Sequence, residues 1–208
     1  MEDVLDLYAE PACPERPVVC FDESPVQLVE EVRQPVGAEP GRPERVDYEY
    51  KRNGTCNVFI AVEPQVGLRH VTVTERRTKQ DFALQMKALV DERYPQADVI
   101  RLVLDNLNTH TPAALYEAFT PEEARRITRK LEFHYTPKHA SWLNMAEIEL
   151  AVFARQCLDR RIPDPDYLRH EAGAWESQRN DNGVLIHWRF TTTDARVKLQ
   201  RLYHVKSS

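Results

Sequence analysis

Three acidic residues, Asp22, Asp105 and Glu147, lie far apart in the chain but at positions where a fold can gather their carboxylates. Asp22 follows the apolar run Val18-Val19-Cys20-Phe21, and Asp105 follows Val99-Ile100-Arg101-Leu102-Val103-Leu104. Short apolar runs rich in β-branched residues are expected to be buried strands, so each acid stands where a strand ends. If the two strands are neighbours, both carboxylates project from one sheet edge. Like charges held that close repel, and one takes up a proton unless a cation sits between them. Such a cluster suits phosphoryl transfer, in which two divalent ions about 3.5–4 Å apart activate an oxygen nucleophile and neutralise charge developing on the phosphate. Magnesium favours carboxylate oxygens and retains waters, so a few acids suffice.

The third acid admits two explanations. Asn144-Met145-Ala146-Glu147 fits a capping box, with Asn144 as N-cap and Glu147 at the third helical position. Glu147 also shares a helical stripe with Ala151 and Ala154, small residues that would let that face approach a sheet closely. Glu149 competes for the role, but two positions along a helix is a rotation of about 200°, so both cannot face one site. Glu147 is preferred. The chain holds 33 acidic residues and Asp favours turns, so spacing alone leaves a purely structural role open for each of the three.

The elements that must position these acids can be read from the rest of the chain. Residues 57–62 and 69–75 read as strands joined through Glu63-Pro64-Gln65-Val66-Gly67, the punctuation of a hairpin turn. Thr78 can cap a helix over residues 81–93, whose Phe82, Met86, Leu89 and Val90 fall on one face. Thr111-Pro112 and Thr120-Pro121 each look like an N-cap followed by proline at the first helical position. Leu131-Glu132-Phe133-His134-Tyr135 alternates as a strand, and a longer helix is expected over residues 144–161. Residues 35–43, rich in proline and glycine, read as an extended connection. The order β-β-β-α-β-α-β-α predicts an α/β domain: a mixed five-stranded sheet, antiparallel meander plus parallel strands, flanked by helices. That succession is the one seen in ribonuclease H-like domains.

Composition narrows the function classes. At 208 residues, 42% hydrophobic and 29% charged, the chain can bury one sizeable core, and disorder is not expected. No apolar run approaches the roughly 18 residues a membrane span needs, and the acidic start has no apolar signal region, so a cytoplasmic location without a membrane partner is expected. The four cysteines, Cys13, Cys20, Cys56 and Cys157, lack the paired spacing of a zinc ribbon or disulfide framework. A net charge of −5 counts against nucleic acid, yet the basic residues are clustered: Arg76, Arg77 and Lys79; Arg125, Arg126, Arg129 and Lys130; Arg155, Arg160 and Arg161; Arg196, Lys198 and Arg201. Solvated helix faces would explain such clusters as well. Charge decides neither way.

The segments VVCFDES (residues 18–24), LVLDNLNTH (102–110) and YTPKHASWLNMAEIEL (135–150) resemble the three catalytic blocks of the bacterial IS630 group within the IS630–Tc1–mariner transposase superfamily. The third block is similar to that superfamily's SP-x-LNP-x-E signature and puts the glutamate at Glu147, with Met145 where proline is frequent. GRPERVDYEYKRNG (41–54) and HWRFTTTDARVKLQRLY (187–203) share the likeness, which covers roughly residues 17–205.

The resemblance implies a DDE-type ribonuclease H-like catalytic domain over residues 17–208, preceded by an extension at 1–16. Asp22, Asp105 and Glu147 would be both catalytic and metal-binding, holding two Mg2+ (or Mn2+) ions. The implied reaction is hydrolytic nicking at transposon ends, then attack of the freed 3′-hydroxyl on target DNA, commonly at TA. The helix-turn-helix domains that recognise terminal repeats are expected to be absent, which implies either a catalytic half whose recognition domains are a separately encoded subunit or a truncated relic. A dimer on DNA and a bacterial, nucleoid-associated setting are implied too. Asn106 and His110 fit a DN-x-x-x-H arrangement that recurs in the family; Asn106 could orient a carboxylate or phosphate and His110 contact phosphate, although a turn cap and a surface histidine explain them equally. Lys138, His139, Trp142 and Arg155 are further candidate DNA contacts, Trp142 by stacking or, alternatively, as a buried helix anchor. Two other classes stay in competition: a catalytically silent remnant or DNA-binding regulator, and a ribonuclease H-like structure-specific nuclease.

Overall fold

A computed structural model describes residues 1–32, 41 and 49–203 of the chain. The apolar runs form the middle of a five-stranded sheet in the order β3-β2-β1-β4-β5, built from β1 (Val18–Glu31), β2 (Tyr50–Glu63), β3 (Leu68–Thr74), β4 (Ile100–Leu104) and β5 (Leu131–Tyr135). β1–β2–β3 is an antiparallel meander, while β4 and β5 add in parallel, as the element order predicts. All five residues of β4 are buried, consistent with a parallel strand covered on both faces.

Alternation along β1 sends its side chains into two cores. Val18 and Cys20 enter one core with Val58, Ile60 and Val103. Over it lie α1 (Glu2–Ala9), α5 (Met145–Cys157) and α6 (Pro165–Asp181), which contribute Val4, Met145, Phe153, Leu168 and Trp175. Val19 and Phe21 enter the other core, covered by α2 (Lys79–Ala88), α3 (Pro112–Ala118) and α4 (Pro121–Arg129). Thr78 caps α2 in a reciprocal capping box with Asp81, and Phe82, Met86, Leu89 and Val90 are buried as their spacing predicts. The last turn of that helix, Leu89–Arg93, widens to π geometry. Thr111 and Thr120 precede the proline-started α3 and α4.

Three differences from expectation have physical causes. β1 does not stop at Asp22 but runs on to Glu31, because Val26 and Leu28 continue the alternation into the core and pair with β2 through a local bulge. Residues 1–16, expected as an extension, include α1, whose Val4 and Leu7 are core residues. Chain beyond α5 is helical: α6, then α7 (Thr192–Lys198) and α8 (Gln200–Tyr203). The extended connection expected at 35–43 lies outside the described residues apart from Gly41, as does half of the family-like stretch 41–54.

Helix α6 seals the edge of the sheet. β3 is an edge strand, and α6 side chains satisfy its outward backbone groups: Asn180 accepts from Arg69 N–H at 2.8 Å and donates to Arg69 C=O at 2.9 Å, and Glu176 accepts from Val71 N–H at 3.0 Å. Gly67, in the β2–β3 turn at φ +79°, has no room for a side chain, since a Cβ there would lie 2.9 Å from Val184 C=O. Among the described residues no helix is long and apolar enough to cross a membrane.

Candidate active site

The strand pairing brings Asp22 and Asp105 together. The parallel ladder pairs Val18, Val19 and Cys20 with Arg101, Leu102 and Val103, and carrying that register on by two residues sets Asp22 opposite Asp105. Adjacent strands are about 4.8 Å apart, so the two acids occupy neighbouring positions. Asp22 has the parity of Cys20, whose side chain faces the core beneath α5, while Asp105, one residue past the end of β4, turns its Oδ1 to His110. Glu147, in the first turn of α5, arrives from that same face.

Asn144 fixes where α5 begins. Its side chain, fully buried, accepts from Ala146 N–H at 3.2 Å and donates to Phe21 C=O at 2.8 Å, tying the helix start to the residue before Asp22. Its own N–H goes to Ser141 C=O at 2.7 Å, so the reciprocal bond of a capping box is not made and the Glu147 carboxylate is not spent on it. The small-residue stripe is oriented otherwise than expected: Ala151 and Ala154 are exposed, and the sheet-facing residues are Met145, Ala146, Glu149, Phe153 and Cys157. Glu147 is therefore half-buried at the rim of that interface. Glu149 is fully committed elsewhere, forming bidentate ion pairs with Arg69 (2.8 and 3.0 Å) and Arg179 (3.0 and 2.9 Å).

The electrostatics of Asp22 are those of a buried anion lacking a counter-ion. Burial pushes its carboxyl up to about 7, with the negative charges of Asp105, Glu23 and Glu147 adding to the effect and the Glu23 N–H opposing it. Among the described residues no basic side chain pairs with Asp22. Asp105 differs: burial works against its charge, but His110 and the Leu107 N–H hold the carboxyl below the usual range. A cation supplied between the acids would remove the conflict at Asp22. Among the described residues, however, no three His, Cys, Asp or Glu side chains already stand close enough to hold one metal ion. The fit to a divalent cation thus rests on donor chemistry and charge rather than on preformed coordination.

His110 is not a surface histidine. It is 1% exposed, its Nδ1 lies 2.7 Å from Asp105 Oδ1, and its Nε2 lies 2.9 Å from Glu23 Oε2, so the ring faces two carboxylates rather than an incoming phosphate. Burial favours the neutral ring, yet the two carboxylates prevail and push its pKa up to about 9. Glu23 was missed by sequence reasoning; its one signal is adjacency to Asp22. Asn106 is exposed and donates to Thr136 C=O, linking the loops that follow β4 and β5. Lys138 and His139 are exposed, His139 with φ 65°, and Arg155 is exposed on α5. Trp142 is not a buried anchor: it is 43% exposed, stacked on Trp188 at 6.2 Å and edge-on to Phe190 at 5.5 Å. Elsewhere the basic clusters are partly neutralised, as in Arg126 with Asp91 and Glu123, Arg160 with Glu171, and Arg196 with Glu2.

No curated protein sequence matches the chain. Among solved structures it is similar to the Mos1 mariner paired end complex with Mn, at TM-score 0.57 and 16% identity over 87% of this chain and 55% of that one. The Mos1 strand transfer complex gives TM-score 0.56 and 16% identity over 81% of this chain and 49% of that one. The fold is therefore that of these ribonuclease H-like transposase domains, and the chain spans about half the length of each. The model of one protein family, DDE superfamily endonuclease, matches residues 17–169, a stretch containing Asp22, Asp105 and Glu147. This chain belongs to the DDE superfamily endonucleases.

Proposed function

We propose that the chain is the catalytic domain of a transposase of the IS630–Tc1–mariner type, and that Asp22, Asp105 and Glu147 hold its divalent metal ions. The observation that carries this is the buried Asp22 carboxylate, without a basic partner among the described residues and set against three further acids. Bound Mg2+ or Mn2+, two ions in this reading, would activate the attacking oxygen and offset charge on the phosphate. Asp22 and Asp105 offer carboxylates from adjacent strands, Glu147 offers one from the start of α5, and Asn144 sets the distance between them. In the first reaction a water oxygen bonds to phosphorus at a transposon end, the P–O3′ bond breaks, and the 3′ oxygen leaves as a hydroxyl after taking a proton. In the second that 3′-hydroxyl attacks a target phosphodiester, forming one P–O bond as another breaks.

DNA is the partner this reading requires, since the family comprises endonucleases. The exposed Lys138, His139 and Trp142 supply charge and a stacking surface near the start of α5, and the exposed Arg155 adds charge in its last turn. Asn106 acts by holding the Asp105 loop. Action as a dimer on paired ends, a preference for TA targets and end recognition by helix-turn-helix modules belong to the same proposal. It is tested by nicking of end-containing oligonucleotides with Mg2+ or Mn2+. Activity should disappear in Asp22→Ala, Asp105→Ala and Glu147→Ala; cleavage unaffected in all three would refute it.

One observation favours a second reading, a DNA-binding regulator that does not cut: the acids are not drawn together to a single coordination point. Titration calorimetry separates the two. Absence of heat at millimolar Mn2+ selects the regulator.

A further inference from the structure

Two buried groups have no task in the reaction above. Glu23 and His110 lie on the opposite side of β1 from Asp22, on the core covered by α2 and α3. The His110 ring is edge-on to Phe21 at 5.7 Å and lies 5.0 Å from Phe82, so the aromatic walls fix its plane. Its carbonyl accepts from the Tyr135 hydroxyl at 2.8 Å, which fixes the backbone beneath it. One ring nitrogen meets Asp105 Oδ1, and the other meets Glu23 Oε2, whose side chain is 2% exposed. The 2.9 Å contact to Glu23 is bent away from a straight hydrogen bond, leaving an ion pair aligned by the packing. Arg77, half exposed, stands 4.0 Å from the other Glu23 oxygen.

The consequence falls on Asp105. Its Oδ1 accepts from His110 at 2.7 Å and from Leu107 N–H at 3.1 Å, which leaves Oδ2 without a protein partner among the described residues. Asp105 follows the last residue of β4 and is only half-buried, so its strand alone does not fix its rotamer. The Glu23 backbone N–H also donates to Asp22 Oδ1 at 2.8 Å, so one residue touches both acids' supports.

We propose that Glu23 and His110 form a buried brace that orients Asp105, occupying Oδ1 so that Oδ2 is the oxygen offered to metal. Both are positioning residues, since neither touches substrate or metal. Partners of this kind commonly contribute about 10–100-fold to metal affinity. The proposal rests on the reading of Asp105 as a metal ligand. Glu23 is the anchor: it holds the far side of the ring, and without it His110 can rotate away from Asp105.

The test is Mn2+ binding by titration calorimetry on the full chain, with unfolding temperature recorded for each variant. His110→Gln should bind Mn2+ about 10–100-fold more weakly, and Glu23→Gln, which removes the charge that holds the far side of the His110 ring and so loosens the His110–Asp105 contact, should lose about tenfold. In nicking assays the Mn2+ concentration for half-maximal rate should rise by the same factors while the KM for DNA stays fixed. Asp105→Ala is the reference. Wild-type affinity in a folded His110→Gln, alongside lost binding in Asp105→Ala, overturns the brace alone. Where His110→Gln does not fold, wild-type affinity in Glu23→Gln overturns it. Equal binding by wild type and Asp105→Ala, or no binding by wild type, overturns the metal-site reading and the brace with it.

Discussion

Glu149 and Glu147 lie two residues apart, and their replacement should fail in different ways. Glu149 is 1% exposed and accepts four hydrogen bonds from Arg69 and Arg179, at 2.8 to 3.0 Å. Arg69 is wholly buried, and its remaining N–H groups donate to Gly67 C=O at 2.7 Å and Val184 C=O at 2.6 Å. Glu149→Ala therefore strands a guanidinium where water cannot reach it. Breaking a buried pair from one side costs about 3–5 kcal/mol. With a urea slope of about 2 kcal/mol per molar, the unfolding midpoint should fall by about 1.5–2.5 M. Arg69→Met combined with Glu149→Leu should recover part of that loss, because no charge is left buried, but not the bonds to Gly67 and Val184. The two arginines hold the Glu149 carboxyl below its usual range against the pull of burial. Its stabilising contribution is thus present in full above the ordinary glutamate value of 4.5 and is lost as the pH falls below it. Glu147→Gln should leave the urea curve near wild type and abolish nicking. A midpoint shift in Glu149→Ala below about 0.5 M would show that the triad is not the clamp its geometry indicates.

Two further outcomes follow from particular contacts. Gly67→Ala puts a Cβ 2.9 Å from Val184 C=O at a backbone angle of φ +79°, so it should cost about 1–3 kcal/mol in chemical denaturation; an unchanged midpoint contradicts the close approach. Asp22→Asn removes a buried anion crowded by acids, so without metal it should melt no lower than wild type. Mn2+ should raise the melting temperature of wild type only, and an equal rise in the variant would place the ion elsewhere.

How much of this was legible in the sequence depends on how local each signal is. Asp22 and Asp105 could be placed because apolar runs announce buried strands, and α2, α3 and α4 because Thr78, Thr111 and Thr120 mark their starts. The full reach of β1 was hidden by Pro25 and by the short alternation Val26–Leu28 beyond it. Helix α6 was hidden because only Leu168, Ala172 and Trp175 mark its buried stripe, while it docks through Asn180, Glu176 and Arg179. Leu168, Ala172 and Trp175 stand at helical spacing, but one of them is only an alanine, and the polar docking residues add nothing to the hydrophobic period. Ala151 and Ala154 misled for the opposite reason, being small residues on a face that meets solvent. The pairing of His110 with Glu23 depends on residues 87 positions apart meeting across two strands, and no spacing within the chain announces it.

The seal on β3 bears on how this sheet is kept from growing. An edge strand with open N–H and C=O groups is a template for a strand from another molecule. Here amide and carboxylate side chains of α6 occupy those groups, as a lid of polar hooks. The family match ends at residue 169, within the first turns of α6, whereas the hooks lie at Glu176 and Asn180. A fragment trimmed to the matched region would keep Asp22, Asp105 and Glu147 but lose the lid, leaving Arg69 and Val71 open to the same strand of a second copy. The closure of this sheet edge thus lies in residues beyond the stretch that carries the three acids and the family match.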